Sequence, residues 1–405
     1  MSVRRLSYPA LAVISAIALV SLYLLAPRGD GVPVPLGRVR ASRPKLTDDI
    51  YNNTLGFEKI LVIGLPSRTD RRDGMVLGAA LSTLEIEFVD GVRGGDVPDK
   101  AIPTGPGTER LPDAVVGSWR AHVNAIQEVV RRNLSSALIM EDDADWDVRL
   151  RSQLYDFALA AHALTQPLPG SSDAAPRYAD PTFPDPTNGP SAVPDIAFDR
   201  LPATIAPAES PYGDRWDVLW LGHCGMRLPF ADGGPIAVPK GRVVRAGDAT
   251  VPQHQHLWTI SDPDDLKAQY GNHTRVVAHH AQDGVCSLAY AVTRRGARKL
   301  LHELGLKAMA AAFDIELRWF CEGGGNPARG GSSNHRHSCL TTQPSLFGIH
   351  LPAGPKKSNS DISDHGEGSQ DAATRGIRYS VRMNADALVE GRPDELVDQW
   401  PDADP

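Results

Sequence analysis

The chain has no cluster of lysine and arginine, and acidic residues outnumber basic ones by 49 to 42 over its 405 residues. The formal net charge is -7 and the pI is near 6.0. A nucleic-acid binder normally carries a basic surface that dominates its charge balance. We therefore expect no nucleic-acid partner. Hydrophobic residues at 41% and charged residues at 22% are typical of a globular protein with a full core.

Two phosphate-binding signatures are also absent from the sequence. One is the G-x-x-x-x-G-K-[ST] loop of P-loop NTPases, and the other is the G-x-G-x-x-G turn of dinucleotide-binding domains. These absences argue against an NTPase and against an NAD enzyme. We find no internal repeat and no heptad pattern, so the sequence does not predict a solenoid or a coiled coil.

Cysteine is sparse, but its number is even, and the chain contains three N-x-S/T sequons. The cysteines are Cys224, Cys286, Cys321 and Cys339, and the sequons begin at Asn52, Asn133 and Asn272. Both features suit an oxidising lumen. Spacing suggests the disulfides Cys321–Cys339 and Cys224–Cys286, although four cysteines allow three connectivities. As an alternative, Cys321, His335, His337 and Cys339 have the ligand types of a zinc site.

The N-terminus carries the only long apolar run, an uncharged stretch over residues 8–26. As a helix it would extend about 28 Å, close to the hydrocarbon thickness of a bilayer. We predict a signal anchor at 8–26 behind a cytoplasmic tail at 1–7, with a cleaved signal peptide as the alternative. Basic residues after the run favour the opposite orientation. The cysteines and sequons instead favour a single-pass type II protein with its catalytic domain in the Golgi or ER lumen.

Residues 27–56 are rich in Pro, Gly and Arg and are predicted to form a stem. A β-α-β unit follows, with a strand at Lys59–Leu65, a helix at Arg68–Leu84 and a strand at Glu85–Asp90. We assign the globular domain to residues 57–365 and a C-terminal tail without recognisable chemistry to 366–405. Residues 166–213 are predicted to be a surface loop insertion.

The rest of the domain alternates helices and strands, with a loop-rich stretch over residues 222–284. The predicted helices are Ser118–Arg132, Arg294–Met309 and Asp314–Phe320, and the predicted strands are Ala137–Met140, Trp216–Leu221, Cys286–Thr293 and Ser345–His350. The fold class is therefore α/β.

An acidic run, Glu141-Asp142-Asp143-Ala144-Asp145, begins where the strand Ala137–Met140 ends. Ligands bind outside the carboxyl ends of strands in open α/β sheets. Carboxylates this close repel one another unless a cation joins them, and Mg²⁺ or Mn²⁺ combines a few carboxylate oxygens with substrate phosphates. The run therefore predicts a metal that bridges a nucleotide diphosphate. The alternative is a helix N-terminus, where acidic residues are also favoured.

The segment Pro66–Arg72 lies between the first strand and its helix, a common place for anion binding. Arg68, Arg71 or Arg72 could pair with a phosphate through the guanidinium fork. The alternative is a capped helix start with solvated charges, with Ser67 or Thr69 as the cap.

Taken together, these segments resemble glycosyltransferase family 25, the lipooligosaccharide and collagen galactosyltransferases, as a fungal-type membrane-anchored member. The shared features occur in family order over about residues 57–362: the LVIGLPSRTDRR segment, Val89-Asp90-Gly91, Ser118-x-x-x-His122, Glu141-Asp142-Asp143, Trp216-Asp217, Tyr290 before the Gly296–Leu300 helix, and Ser360-Asp361-Ile362. No single motif is specific, but the ordered set together with I-M-E-D-D makes the resemblance fairly strong.

The resemblance implies a GT-A-like fold with a mostly parallel central sheet. It also implies a hexosyltransferase that needs Mn²⁺ (or Mg²⁺) and a donor such as UDP-galactose, with a glycan, lipid or protein hydroxyl as acceptor. The metal ligands would be Asp143 with Asp145, or Asp142 with Asp143. The predicted donor-binding residues are Arg68, Arg71, Ser118 and His122, although a core role for His122 is the alternative. Asp314 is the predicted general base.

Two other functions use the same features. A catalytically inactive relative would keep the fold as a lumenal binding module, although the intact acidic run argues against that. A metal-dependent hydrolase would use the carboxylates to activate water. It would normally need several histidine ligands near the acidic strand end, and only His122 lies close to it in the sequence.

Overall fold

A computed structural model describes residues 45–103, 105, 109–172, 174–229, 238–323, 337–362 and 366–402. These residues exclude the predicted cytoplasmic tail at 1–7, the predicted anchor at 8–26 and the predicted stem up to residue 44. His335 also lies outside them. Within the described residues, no helix has both the length and the apolar character needed to cross a bilayer.

The described residues alternate strands and helices. The strands are β1 Lys59–Gly64, β2 Ile86–Asp90, β3 Ser136–Glu141, β4 Ala144–Trp146, β5 Ile196–Ala197, β6 Val218–Gly222, β7 Gly225–Arg227, β8 Arg242–Arg245, β9 Arg275–His280, β10 Gln282–Val285, β11 Ala289–Thr293, β12 Cys339–Gln343, β13 Phe347–Leu351, β14 Gly354–Pro355, β15 Ser369–Gln370 and β16 Ala373–Thr374. The α-helices are α1 Thr69–Leu81, α2 Asp113–Arg131, α3 Leu150–Thr165, α4 Asp265–Gln269, α5 Arg294–His302, α6 Phe313–Glu322 and α7 Ala385–Val389.

Nine strands form the central sheet in the order β2-β1-β3-β11-β6-β12-β9-β8-β5. The parallel pairs are β1 with β2, β1 with β3, β6 with β12, and β5 with β8. The antiparallel pairs are β11 with β3, β11 with β6, β12 with β9, and β8 with β9. The expected α/β class is confirmed, but the sheet is mixed. Because β11 is antiparallel to both neighbours, β1, β3, β6 and β12 all end at one edge, which we call the carboxyl edge.

Helices cover both faces of the sheet, and side chains alternate between two apolar clusters. In β1, Ile60 and Val62 join one cluster, which also contains residues of α1 and α3. Leu61 and Ile63 join the other, together with residues of α2, α5 and α6. This alternation is the period of two expected for a strand that is buried on both faces.

The folded unit begins earlier and extends further than the sequence predicted. A compact unit starts at Lys45, and Ile50 is fully buried in it. Residues 45–56, which the sequence assigned to the stem, are therefore part of the folded domain. The predicted C-terminal tail, which begins at residue 366, also packs against the domain, since its strand β16 pairs with β13. The predicted loop insertion at 166–213 contributes β5 to the sheet edge.

The stretch 222–284, predicted to be rich in loops, contains strands β7 to β10. Every residue of β9 is buried, including Arg275 and two histidines. Arg275 is compensated by Asp248, with Nε 2.8 Å from the carboxylate. The charged and imidazole groups interrupt the apolar pattern by which buried strands are recognised, so the sequence did not indicate this strand.

The structure contains both disulfides that the spacing suggested, Cys224–Cys286 and Cys321–Cys339. Both cysteines of the hypothetical zinc site are therefore bonded to each other, and the ring of His337 stacks on Phe320 at 3.8 Å. Cys286 has a φ of 61°, so the strand predicted from Cys286 begins only at Ala289.

Candidate functional site

The acidic run lies at the carboxyl edge, as predicted. Glu141 ends β3, and Asp145 lies in β4, which pairs with β13. The side chains of Asp142 and Asp143 lie in the turn between these strands and are 6% and 13% exposed. Two neighbouring carboxylates are therefore largely removed from water, which is costly unless a cation accompanies them.

Arg71 on α1 supplies a cation to this turn. Its Nη1 lies 2.8 Å from Oδ1 of Asp142 and 3.1 Å from Oδ2 of Asp143. Burial disfavours the charged guanidinium, but the Asp143 and Asp142 carboxylates outweigh burial and raise the pKa of Arg71. The segment predicted to bind donor phosphates and the acidic run are thus in direct contact.

Asp143 is only partly compensated. Burial, with smaller contributions from the charges of Glu141 and Asp142, raises its pKa from 3.8 to about 6, against the attraction of Arg71. Its Oδ1 is buried and has no hydrogen-bond partner among the described residues. A carboxylate oxygen in this state is suited to a hard divalent cation.

Asp145 is used differently. Its carboxylate is fully buried and accepts hydrogen bonds from Thr374 Oγ1 at 2.6 Å, from the Ser380 hydroxyl and from two backbone N–H groups. These contacts tie the C-terminal segment to β4. The Asp145 carboxylate is thus engaged by contacts within the fold, whereas the Asp142 and Asp143 carboxylates face Arg71. Which pair holds a metal stays a prediction.

The sequence did not identify the residues that the C-terminal segment brings to the site. The Arg382 guanidinium lies 2.8 Å from the backbone carbonyl of Asp142. Burial lowers its pKa, in opposition to the carboxylates of Asp145, Asp143 and Asp142. No motif or periodicity marks Arg382, Thr374 or Ser380, because their partners in the acidic run lie more than 220 residues away in the chain.

Arg68 lies beside the late Ser360-Asp361-Ile362 motif. Its guanidinium forms an ion pair with Asp361 at 2.5 Å and donates to the carbonyl of Ser358 at 3.3 Å. Arg71 likewise donates to the carbonyl of Asn359. The two predicted donor-binding arginines therefore both contact the loop at residues 358–361. That loop lies next to the turn formed by Asp142 and Asp143, which we call the acidic turn.

His122 is a core histidine that contacts the site from behind. It is 1% exposed, stacks on Phe313 at 3.9 Å and lies 3.1 Å from the Tyr290 hydroxyl. Its Nε2 lies 3.4 Å from Glu141, and Ser287 Oγ donates to the same carboxylate oxygen at 2.8 Å. Burial alone would raise the pKa of Glu141. Its hydrogen bonds to His122 and Ser287, together with the charges of His122 and Arg71, outweigh burial and lower that pKa below its ordinary value.

Ser118 lies one turn before His122 on α2 and is half-buried. Its place on this helix is compatible with the predicted donor-binding role, and that role stays a prediction.

Asp314, the predicted base, anchors a loop. Its Oδ2 accepts from the backbone N–H of Cys286 at 2.8 Å, and its Oδ1 accepts from that of Ile315 at 2.9 Å. Oδ2 is therefore engaged by the backbone next to Ser287, and Oδ1 by the next residue of its own helix. This arrangement fixes the disulfide-bonded loop beside Glu141.

We expect Asp314→Asn to lower the free energy of unfolding by about 1–3 kcal/mol, because the amide group leaves one backbone N–H without an acceptor. Urea unfolding measures this, with the exposed Asp386→Asn on α7 as the control. If turnover fell about a hundredfold at unchanged stability, Asp314 would be the base and not an anchor.

Gly64, the last residue of β1, leaves room for the Asp142 side chain. A Cβ built on Gly64 would lie 2.1 Å from Oδ2 of Asp142. We expect Gly64→Ala to displace Asp142 from Arg71 and to weaken metal-dependent donor binding about tenfold or more, as calorimetry would show. Gly78→Ala on α1 is the matched control, because its Cβ would meet nothing closer than 3.6 Å. Equal donor affinity in both variants would contradict this role of Gly64.

Two of the motifs that resemble family 25, Trp216-Asp217 and Gly296–Leu300, contact each other at the opposite edge of the sheet. Asp217, just before β6, pairs with Arg295 at 2.9 Å and Lys299 at 2.8 Å on α5. A Cβ on Gly296 would lie 2.1 Å from the Asp217 carbonyl oxygen. The Trp216-Asp217 strand and the Gly296–Leu300 helix are therefore matched to each other and not to the acidic turn.

Within the described ranges, no group of three or more His, Cys, Asp and Glu side chains is arranged to hold a metal ion. Mg²⁺ and Mn²⁺ sites that bind nucleotides commonly use one or two carboxylates and complete their coordination with water and substrate phosphates. Asp142 and Asp143 fit that requirement. The specific observation for it is Oδ1 of Asp143, which has no hydrogen-bond partner in the described part of the chain.

Part of this chain is similar in sequence to known proteins. No protein-family model matches the chain. Over 120 residues, 26% of this chain, it is 28% identical to "Procollagen galactosyltransferase 2" of Homo sapiens, and a similar match links it to the Mus musculus protein. The similarity is to glycosyltransferase family 25. "Inactive glycosyltransferase 25 family member 3" of Homo sapiens is 32% identical over 131 residues, 29% of this chain.

These matches cover 18% to 22% of the length of each relative. They support a glycosyltransferase-like chain distantly related to family 25. One relative is named inactive, so the similarity alone does not distinguish an active transferase from an inactive one.

Proposed function

We propose that this chain is an active glycosyltransferase. It transfers a hexose, with galactose as the first candidate, from a nucleotide-sugar donor such as UDP-galactose to a hydroxyl of a glycan, lipid or protein. Mn²⁺ or Mg²⁺ assists the reaction. The observation that carries the proposal is the buried Asp142-Asp143 turn, joined to Arg71 at the carboxyl edge of the sheet.

The donor diphosphate would be held between the arginine segment and the acidic turn. Arg71 already contacts both carboxylates, and Arg68, in the same segment, pairs with Asp361 of the neighbouring loop. A guanidinium fork matches phosphate oxygens in geometry and charge. Asp142 and Asp143 would hold the divalent ion, which would neutralise charge on the departing nucleotide diphosphate.

The acidic turn favours the active transferase over an inactive binding module. A protein that only binds a partner has no evident use for a buried aspartate whose pKa is raised to about 6 and whose Oδ1 has no hydrogen-bond partner among the described residues. Such strained charges cluster at functional sites. The predicted membrane anchor and the Golgi or ER lumenal location belong to the same proposal.

The test is donor cleavage by the full-length chain with a panel of UDP- and GDP-hexoses, with Mn²⁺ and with EDTA. We expect metal-dependent release of the nucleotide from one donor, faster in the presence of a hydroxyl acceptor. Asp73→Asn, an exposed position on α1, is a control for nonspecific charge effects. If folded protein binds no nucleotide sugar with any metal, the binding module becomes the better account.

A further inference from the structure

A cavity lies at the edge of the sheet opposite the acidic turn, and we call it the Arg215 cavity. It offers about 250 Å³ of space. One water molecule takes up roughly 30 Å³ in the liquid, so the cavity has room for a small organic ligand. It is lined where β6 and β12 begin and where β9 ends, and by residues of α5 and α6. None of the roles above uses this space.

Three basic side chains line the cavity. Arg215, just before β6, is exposed, and no carboxylate of the described residues forms an ion pair with it. Its guanidinium lies over the Tyr178 ring, 5.7 Å from the centroid, a contact that leaves its charge uncompensated. Arg295 and Lys299 on α5 keep 56% and 35% of their side-chain surfaces exposed. All three cations therefore have surface that a ligand can reach.

Two acidic side chains also line the cavity, and both are engaged by the protein. Asp217 is 3% exposed, and its two oxygens lie 2.9 Å from Arg295 and 2.8 Å from Lys299. Burial would raise the pKa of Asp217, but Lys299 and Arg295 outweigh it and lower that pKa. Glu322 is 7% exposed and accepts the N–H of Asp283 at 2.7 Å. With both carboxylates ionised, the lining still carries an excess of positive charge.

His280, the last residue of β9, also lines the cavity. It is 2% exposed, and burial lowers its pKa to about 4, so the ring is neutral near pH 7 and adds no charge. Its Nε2 has no hydrogen-bond partner among the described residues. Buried polar atoms are normally paired, so an unpaired one in the wall of a cavity is typical of a binding site.

Another part of the lining is apolar. It is formed by Phe183, Pro184 and Pro186 of the segment 166–213, together with Val238 and Pro239. Small-molecule sites commonly combine such apolar walls with a few charged or polar groups that fix the orientation of the ligand. The cavity therefore suits a molecule with one strongly anionic group and one uncharged ring.

We propose that the Arg215 cavity binds a phosphate monoester of a small ring compound, such as a sugar phosphate. The phosphate carries roughly two negative charges near pH 7 and accepts from the Arg215 guanidinium, whose fork matches phosphate oxygens. Arg295 and Lys299 add positive charge, and the ring packs against the proline-rich wall. An uncharged sugar would leave these cations unmatched. This site is separate from the acidic turn and does not rest on the proposed transferase function.

The experiment is calorimetry on the full-length chain in detergent, with EDTA present so that metal-dependent donor binding does not contribute. The ligands are glucose 6-phosphate, adenosine monophosphate, inorganic phosphate and glucose, so the two esters distinguish a sugar ring from a nucleoside. The variants are Arg215→Glu and Arg215→Lys. The matched control is Arg200→Glu, since Arg200 is 82% exposed and does not line the cavity. A separate titration with UDP-hexose and Mn²⁺ measures donor binding.

We expect one of the esters to bind about tenfold or more tightly than inorganic phosphate, and glucose not to bind. Arg215→Glu should weaken ester binding about tenfold or more, and Arg215→Lys should weaken it less. Ester binding by Arg200→Glu, and donor binding by every variant, should stay within about twofold of the unmodified chain.

The inference is wrong if neither ester binds, if inorganic phosphate binds as tightly as the esters, or if Arg215→Glu and Arg200→Glu bind the ester equally. Ester binding that requires Arg215 in a chain that binds no nucleotide sugar would uphold the cavity and overturn the transferase.

Discussion

Asp143→Asn is expected to reduce metal-dependent donor turnover about a hundredfold or more while the protein stays folded. The amide keeps the shape of the side chain but removes the charge that we propose to bind the cation. A metal ion contributes several kcal/mol of transition-state stabilisation, and about 3 kcal/mol corresponds to a hundredfold in rate. The measurement is nucleotide release with saturating Mn²⁺, and Asp73→Asn is the control.

Asp143→Asn should also change how the free energy of unfolding depends on pH. The pKa of Asp143 is raised in the folded state, from 3.8 to about 6. Between those values the folded protein binds more protons than the unfolded chain, so stability falls as pH rises through this window. The loss is on the order of 2–3 kcal/mol, and Asp143→Asn should abolish it. Unchanged turnover, or the same pH dependence in both proteins, would exclude an active role for this carboxylate.

Asp145→Ala is expected to destabilise the protein by about 3–5 kcal/mol, because it removes the acceptor of four hydrogen bonds at a fully buried position. The hydroxyls of Thr374 and Ser380 lose their shared partner, and the C-terminal segment loses its attachment to β4. Urea unfolding measures the change, with Asp143→Ala for comparison.

The folded fraction of Asp145→Ala should still bind Mn²⁺ in the presence of donor, since Asp142 and Asp143 remain. A variant of normal stability that has lost Mn²⁺ binding would show instead that Asp143 and Asp145 form the metal pair.

The acidic run and the β-α-β opening were predictable because both are local. In β1, Ile60 to Ile63 form a continuous apolar run, and the acidic residues follow β3 directly. The predicted helix at Ser118–Arg132 proved to begin five residues earlier, at Asp113. Such boundaries depend on capping and packing, which periodicity alone does not fix.

The remaining features depend on partners that are distant in the chain. The antiparallel placement of β11 is a choice of neighbours, and no local pattern encodes it. Residue pairs such as Asp145 with Ser380 and Arg71 with Asp142 are 235 and 71 positions apart. Arg382 has no sequence signal because its role arises only when the C-terminal segment folds over the acidic turn.

The most direct test of the central claim is the number of Mn²⁺ ions bound per chain, measured by electron paramagnetic resonance with and without UDP-hexose. The account predicts one ion when donor is present, weak binding without it, and none in Asp143→Asn. Donor that binds equally well in EDTA, or full Mn²⁺ binding by Asp143→Asn, would contradict the assignment of the Asp142-Asp143 turn as the metal and donor site.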